Sequence, residues 1–346
     1  MTEWIAVHSL ETVGIRWILQ IQSVLMPGGQ LPLRLLSFMG EEFFFIALIT
    51  ILYWCVDERV GLRLFYFLLI CAIVNSIFKW AWGLPRPYWL EPAIQTGYVE
   101  TGFGAPSGHS QMAFGVWFYL AWLLFQLHQM RWTWGLAAGL AASVSFSRLA
   151  LGVHFPHDVL SGWILALILL ALFIALTGRV IAWTGHGSQA GRTLLLTLIT
   201  VVLLAGLAWL VQLINIKRIP IEWQANALAA HLALGQSAGL DPYSARTLIS
   251  TLALLSGAGV ALPWKHRLPM APLPTGRWSL LVRRYMVGMA GFLLLYLGLA
   301  WVFRLAGEQL AMELRFLRYF IVALWTIAGA PLLFSRLGLA EAGPSQ

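Results

Sequence analysis

Charge is scarce in this chain. Only 10% of its 346 residues are Asp, Glu, Lys or Arg, whereas 60% are hydrophobic. A water-soluble fold with that balance would lack the polar surface to cover itself, which excludes an ordinary soluble globular protein. Cysteine is scarcer still. Cys55 and Cys71 both lie in apolar segments and read as unpaired packing residues, so no disulfide framework is expected. No cleavable leader is expected either: Met1–Gln30 has no basic start followed by a clean apolar run, and the first spanning helix is expected to direct insertion itself. No Asp/Glu/His grouping of the metal-site type occurs, so neither a metal nor a cofactor is expected. Tandem repeats and a long disordered tail are absent as well.

What the chain has is apolar length. Candidate spans fall at 36–56, 62–82, 108–129, 132–151, 158–178, 193–214, 245–263, 284–304 and 316–336. The expected fold is therefore all-α, a polytopic helical membrane protein of about nine transmembrane helices. Ahead of them, residues 12–26 mix apolar and polar positions as a short amphipathic helix on the membrane surface would, ended by Pro27-Gly28-Gly29. Residues 224–240 are weakly apolar and fit a re-entrant or interfacial helix. Three domains follow: 1–35 as the interfacial helix, 36–182 as a core, and 183–346 as a C-terminal transmembrane extension, with the loop 184–192 as boundary.

The net charge of +8 would suggest nucleic acid in a soluble protein. Here the cations sit mostly in short loops between apolar runs, which points to topology and anionic lipid, with no nucleic-acid partner. The side holding Arg59, Arg63, Arg131, Arg179 and the basic 264–284 loop is the richer and is expected in the cytoplasm. The opposite side would face the cell exterior, or the periplasm of a bacterial inner membrane. The partners expected are the bilayer and its lipids; oligomeric state is not legible.

Three clusters at the ends of apolar runs carry the chemistry. Lys79 closes the second span and Arg86-Pro87 follows it; alone, this pair reads as well as snorkelling anchors. Pro106-Ser107-Gly108-His109 opens the third, where proline and serine suit a helix start and backbone N–H groups make an anion site. Ser147-Arg148 ends the fourth, and His154 and Asp158 flank the start of the fifth. Asp158 can bond one imidazole nitrogen, fix the tautomer and leave the other nitrogen as a nucleophile. His157 is the competing histidine. One crossing per span brings all of these to one membrane face, where charge is costly unless paired or functional.

Lys79-x6-Arg86-Pro87, Pro106-Ser107-Gly108-His109 and Ser147-Arg148-x5-His154-x3-Asp158 together resemble the tripartite signature of the type-2 phosphatidate phosphatase family, across residues 36–180. The resemblance implies a six-helix-type phosphatase core and a lipid phosphate or lipid diphosphate substrate. It implies His154 as the nucleophile of a phosphohistidine, Asp158 as its orienting partner and His109 as the proton donor to the leaving group. Lys79, Arg86, Arg148, Ser107 and Gly108 would hold the phosphoryl oxygens, and Ser147 would join that network. Three fixed cations can stabilise equatorial phosphoryl charge without a metal. The last four spans go beyond the family core. A phosphotransferase to a lipid or glycan acceptor is the alternative, and a non-enzymatic lipid-phosphate carrier is a third reading.

Outside the signature, Glu41 and Glu42 lie just inside the first span, where two carboxylates need partners or water. They read either as an interfacial pair facing water or as a pair of which one pairs with an active-site arginine or gates the head group. Trp80, Trp82, Tyr88, Trp89 and Tyr98 surround the second cluster, as an aromatic belt or as a lining for the head group. His231, Asp241 and Tyr243 fall on the same side and are candidates to cover the site.

Overall fold

In the computed structural model the described residues are mostly helical. The structure describes residues 2–185, 218–265, 278–305 and 307–339, with scattered positions between 191 and 213. The helices are α1 (Thr2–Phe38), α2 (Glu42–Ile51), α3 (Glu58–Trp82), α4 (Pro87–Leu90), α5 (Gly108–His128), α6 (Trp132–Ala150) and α7 (Pro156–Gly185). After them come α8 (Ile221–Ala233), α9 (Arg246–Lys265), α10 (Trp278–Leu293) and α11 (Ala311–Leu324). Among the described residues, six helical stretches are long and apolar enough to cross a membrane: Glu58–Leu90, Gly108–His128, Pro156–Arg179, Arg246–Pro263, Trp278–Arg304 and Ala311–Arg336. Gln30–Phe38 and Glu42–Val56, bent by 45°, make a seventh if taken as one broken span. The protein is thus a polytopic helical membrane protein.

The expected segment 132–151 folds as α6 but is not among these six. Thr133, Ser145, Ser147 and Arg148 lie buried on it, so its polar groups face protein rather than lipid. Much of the expected span 193–214, of the loop 184–192 and of the basic 264–284 loop lies outside the described residues.

The N-terminal helix departs from expectation. Pro27 does not end it; α1 runs on to Phe38. It is packed against protein on one side, while Leu10, Trp17, Val24, Leu31 and Leu35 are exposed. Ile18, Gln22, Leu33 and Ser37 are buried on one side, ahead of and beyond the proline. The Gln22 amide donates to the carbonyls of Gln95, at 2.7 Å, and Ala150, at 3.0 Å. Packing on both flanks offsets the backbone hydrogen bond that proline removes. Most of α8 falls in residues 224–240; it is a 13-residue helix packed on α4, followed by a turn.

Contacts divide the chain into two compact units. One comprises Met1–Phe45, Val74–Ile174 and Leu210–Ser244; the other comprises Ile46–Ile73, Ala175–Trp209 and Ala245–Gln346. In the first, α6 packs against both α1 and α5. In the second, α9 packs against α11, and Tyr53, Trp54, Phe292, Val322 and Phe334 form a core. A π turn at Trp325–Gly329 shifts the helical ladder there. The Tyr53 hydroxyl and the Trp54 indole donate to the carbonyls of Ile327 and Thr326 in that turn, at 2.9 and 3.0 Å.

Candidate active site

All three clusters meet in the first unit. Helix starts do much of the placing. Ser107 caps α5, its hydroxyl accepting from Ser110 N at 3.4 Å. The two serine hydroxyls lie 3.0 Å apart, so either can donate to the other and free the second proton. The Ser107 N–H donates to the Asp158 carbonyl at 2.9 Å, tying the start of α5 to the start of α7. Gly108 sits against Asn75 of α3, where an added Cβ would meet Oδ1 at 3.3 Å. The Asn75 amide in turn donates to Pro106 O and Gln111 Oε1, at 3.2 and 2.7 Å.

Asp158 stands three residues after Phe155, in the first turn of α7. Its Oδ2 accepts the Phe155 N–H at 2.8 Å, a backward cap on the helix start. The same oxygen lies 3.3 Å from His154 Nδ1. The other ring nitrogen, Nε2, lies 3.4 Å from Arg86 Nη1. A guanidinium can only donate, so Nε2 is the acceptor and the ring proton sits on Nδ1, facing the carboxylate. Burial, and then the charges of Arg86 and Lys79, push the His154 pKa well below its ordinary value. The imidazole is held neutral.

Two of the three cations are fixed by carbonyls. Lys79 Nζ donates to Phe103 O and, at 3.2 Å, to Gly104 O. Arg86 donates through Nε to Gly102 O at 2.7 Å, through Nη1 to Val153 O at 3.0 Å and through Nη2 to Phe103 O at 3.2 Å. Arg148 is wholly buried, its Nη1 donating to the Ser37 hydroxyl of α1 at 2.8 Å and its Nε left without a partner. The backbone passes so close that an added Cβ on Gly104 would meet Pro85 O at 2.6 Å and Asp158 Oδ2 at 3.1 Å.

One residue that the sequence did not single out completes the cluster. Glu100 bridges the two arginines, Oε2 to Arg86 Nη2 at 3.2 Å and Oε1 to Arg148 Nη2. Burial alone would raise its pKa, but the guanidiniums of Arg86 and Arg148 overturn that and hold the carboxyl well below the usual range. A sequence signal existed, since Glu100 lies nine positions before His109 in the loop between two clusters; nothing in its local pattern distinguished it from Glu91.

The remaining expectations divide. His109 lies beside Gly40, whose added Cβ would meet its ring Cδ2 at 3.0 Å. Ser147 is buried, and its hydroxyl donates to Val144 O of its own helix at 2.6 Å. The Glu41 carboxylate acts on Tyr98, whose hydroxyl donates to Arg34 O at 3.4 Å and whose ring lies 5.1 Å from the Arg148 guanidinium carbon. Among the described residues it makes no ion pair with an arginine, and it reaches the cluster through Tyr98. Burial and the Glu41 charge raise the Tyr98 pKa. Glu42 is exposed in the first turn of α2. His157 lies outside the arginine cluster, stacked on Phe155, with its Nε2 3.3 Å from Asp158 Oδ1.

The aromatic-belt reading fails for Trp80, Tyr88 and Trp89, which are buried; Trp82 remains 40% exposed. Their work is to hold the loop 87–104 under residues 221–244. Tyr88 OH donates to Glu100 O at 2.8 Å and lies 3.0 Å from His231 Nε2. Trp80 Nε1 donates to Pro242 O at 3.1 Å, Asp241 N donates to Thr101 O at 3.1 Å, and Phe103 packs edge-on against Tyr243. His231, Asp241 and Tyr243 thus do lie over the loop. Beside it, a cleft of about 450 Å³ is lined by Ala81, Trp82, Leu84, Ala105, His157 and Ser161. Among the described residues no group of three or more His, Cys, Asp or Glu is placed to hold a metal ion.

A helical membrane protein with a buried histidine–carboxylate pair beside two fixed guanidiniums defines a class. The chain belongs to the PAP2 superfamily: that model matches residues 60–182, and the model of the PAP2 superfamily phosphatase transmembrane extension matches residues 249–342. Among curated proteins it is 32% identical over 163 residues to a probable sphingosine-1-phosphate phosphatase of Dictyostelium discoideum, covering 43% of this chain and 39% of that one. It is 28% identical over 238 residues to human glucose-6-phosphatase 2, covering 60% and 63%. It is 27% identical over 132 residues to an undecaprenyl-diphosphatase of Sulfolobus acidocaldarius, covering 38% and 62%. The chain spans less than two thirds of the length of each of these relatives.

Proposed function

We propose that the protein is a membrane phosphatase that hydrolyses a lipid phosphate or lipid diphosphate, with its active site on the extracytoplasmic face. The observation that carries this is the His154 ring, with Nδ1 toward Asp158 and Nε2 toward Arg86. Binding a phosphate would need only the cations; an oriented, neutral imidazole is what a nucleophile needs.

In the first step His154 Nε2 attacks phosphorus, a P–N bond forms and the P–O bond to the lipid breaks. The leaving oxygen takes a proton from His109. Asp158 stabilises the charge gained by the ring. In the second step water gives a proton to His109 and attacks phosphorus, the P–N bond breaks and phosphate leaves. Lys79, Arg86, Arg148, the Ser107 hydroxyl and the Gly108 backbone hold the phosphoryl oxygens, supplying positive charge without a metal. Glu100 spans Arg86 and Arg148 as two phosphoryl oxygens would, and it yields its place when substrate arrives. The domain reading is a phosphatase core over 36–182 with an extension over 183–346.

The test is phosphate release by the detergent-purified protein, in excess EDTA, with His154→Ala alongside. The panel holds lipid monophosphates, lipid diphosphates and a water-soluble sugar phosphate. Release from a lipid by the wild type alone supports the proposal. Equal release by His154→Ala refutes it, and release from the sugar phosphate only refutes the lipid part.

A further inference from the structure

A second cationic site lies in the other unit, inside the transmembrane extension. There α10 continues through a π turn at Leu294–Gly298 into Leu299–Arg304, and α11 begins at Ala311. Between these helices is a cleft of about 410 Å³, lined by Ala300, Phe303, Arg304, Gly307, Ala311, Leu314, Arg315 and Arg318. Three of the lining residues are arginines and none is acidic.

Two of the three arginines, Arg315 and Arg318, are held in place. The Arg318 guanidinium carbon lies 5.1 Å from the Tyr296 ring and 4.9 Å from the Tyr319 ring, and that of Arg315 lies 5.2 Å from Tyr319. The two tyrosine hydroxyls are 3.3 Å apart, joining the platforms. Arg315 Nε also donates to Arg246 O at 3.1 Å and to the Ser250 hydroxyl at 2.7 Å. Arg318 Nε is buried without a hydrogen-bond partner. Among the described residues none of the three has a carboxylate within ion-pair distance.

One arginine at a helix end is a snorkelling anchor. Three that converge on one cleft repel one another, and two of them, Arg315 and Arg318, are fixed on aromatic faces and cannot splay apart. Such an arrangement is stable when an anion sits among them. Guanidiniums match phosphate oxygens in pairs. The remaining walls, Ala300, Phe303, Ala311 and Leu314, are apolar and suit the first carbons attached to a head group.

We infer that this cleft binds the phosphate of an anionic membrane lipid, at a site separate from the one that carries the reaction. The apolar walls favour a lipid over free phosphate, and the experiment separates the two sources. The full-length protein, purified in a zwitterionic detergent, is mixed with phosphatidylglycerol, phosphatidylcholine or inorganic phosphate. Bound lipid is counted by native mass spectrometry and stability is followed by thermal unfolding. Arg318→Gln and Arg304→Gln are measured beside the wild type; Arg304 is exposed, so its loss cannot unfold the core. The wild type is expected to retain phosphatidylglycerol in preference to phosphatidylcholine, and each variant is expected to bind it about tenfold more weakly. Phosphate release without added anionic lipid is expected to be unchanged in Arg304→Gln. Equal phosphatidylglycerol binding by wild type and both variants overturns the site. Arginine-dependent stabilisation by inorganic phosphate that matches phosphatidylglycerol overturns its assignment to a lipid.

Discussion

His154 Nε2 and Arg86 Nη1 lie 3.4 Å apart, and that pair decides which nitrogen of the ring is free. Because arginine has no acceptor, the lone pair of Nε2 faces the guanidinium and the proton sits on Nδ1, toward Asp158. Asp158→Asn can still accept at Nδ1 but offers no charge to the developing imidazolium. Phosphate release should fall by about two to three orders of magnitude, while the purified protein keeps its helical circular dichroism. A change below about threefold would remove Asp158 from the reaction.

The neutral state of His154 also sets a pH dependence. Its folded pKa is depressed by burial and by Arg86. Between that value and the ordinary value of about 6.5, the unfolded chain binds the extra proton and the folded chain does not. The stability that this group contributes is therefore complete above pH 6.5 and declines as pH falls. The acidic limb of kcat/KM should lie well below pH 6.5 and disappear from the comparison in His154→Ala, which has no rate to titrate. A limb at or above pH 6.5 would show a ring free to protonate.

Glu100 competes with the phosphoryl group for Arg86 and Arg148. Glu100→Gln removes the competitor's charge, so inorganic phosphate or vanadate should inhibit about tenfold more tightly. The same change leaves two guanidiniums without a counter-charge, so the variant without ligand should melt earlier and recover when phosphate is added. The wild-type carboxyl, held below its ordinary value of about 4.3, contributes stability that is present above that pH and is lost as pH falls through the folded value. Unchanged inhibition would mean that Glu100 and the phosphoryl group do not share the arginines.

His231 touches none of the proposed reacting groups, yet it holds Tyr88, which holds the Glu100 backbone. His231→Ala should loosen the loop 87–104 and lower kcat/KM by about tenfold, with His154 still required. His231→Gln, which keeps a hydrogen-bonding group, should recover part of the loss. Equal rates in wild type and His231→Ala would assign residues 221–244 no hold on the site.

Much of this site was legible because its chemistry clusters at helix ends. Lys79, Arg86, Ser107, Arg148, His154 and Asp158 each lie within a few residues of an apolar run, and one crossing per span is enough to bring them together. Glu100 was not legible, because it acts only once its loop folds back over Arg86 and Arg148, and no local spacing encodes that return. Ser37 was hidden for the same reason: its hydroxyl meets Arg148 from a helix 111 positions earlier in the chain. The course of α1 was misread at Pro27, where the residue's own preference says stop and the packing of Ile18, Gln22 and Leu33 says continue. Trp80, Tyr88 and Trp89 look like interface anchors by composition; only the partners supplied by residues 221–244 show them to be buried supports.

The most direct test of a phosphohistidine at His154 is stereochemical. A lipid phosphorothioate made chiral by oxygen isotopes is hydrolysed in isotopically labelled water, and the configuration at phosphorus of the product is read. Two in-line displacements, onto His154 and then onto water, should give net retention. Net inversion would mean that water attacks the substrate directly, and would contradict a covalent role for His154.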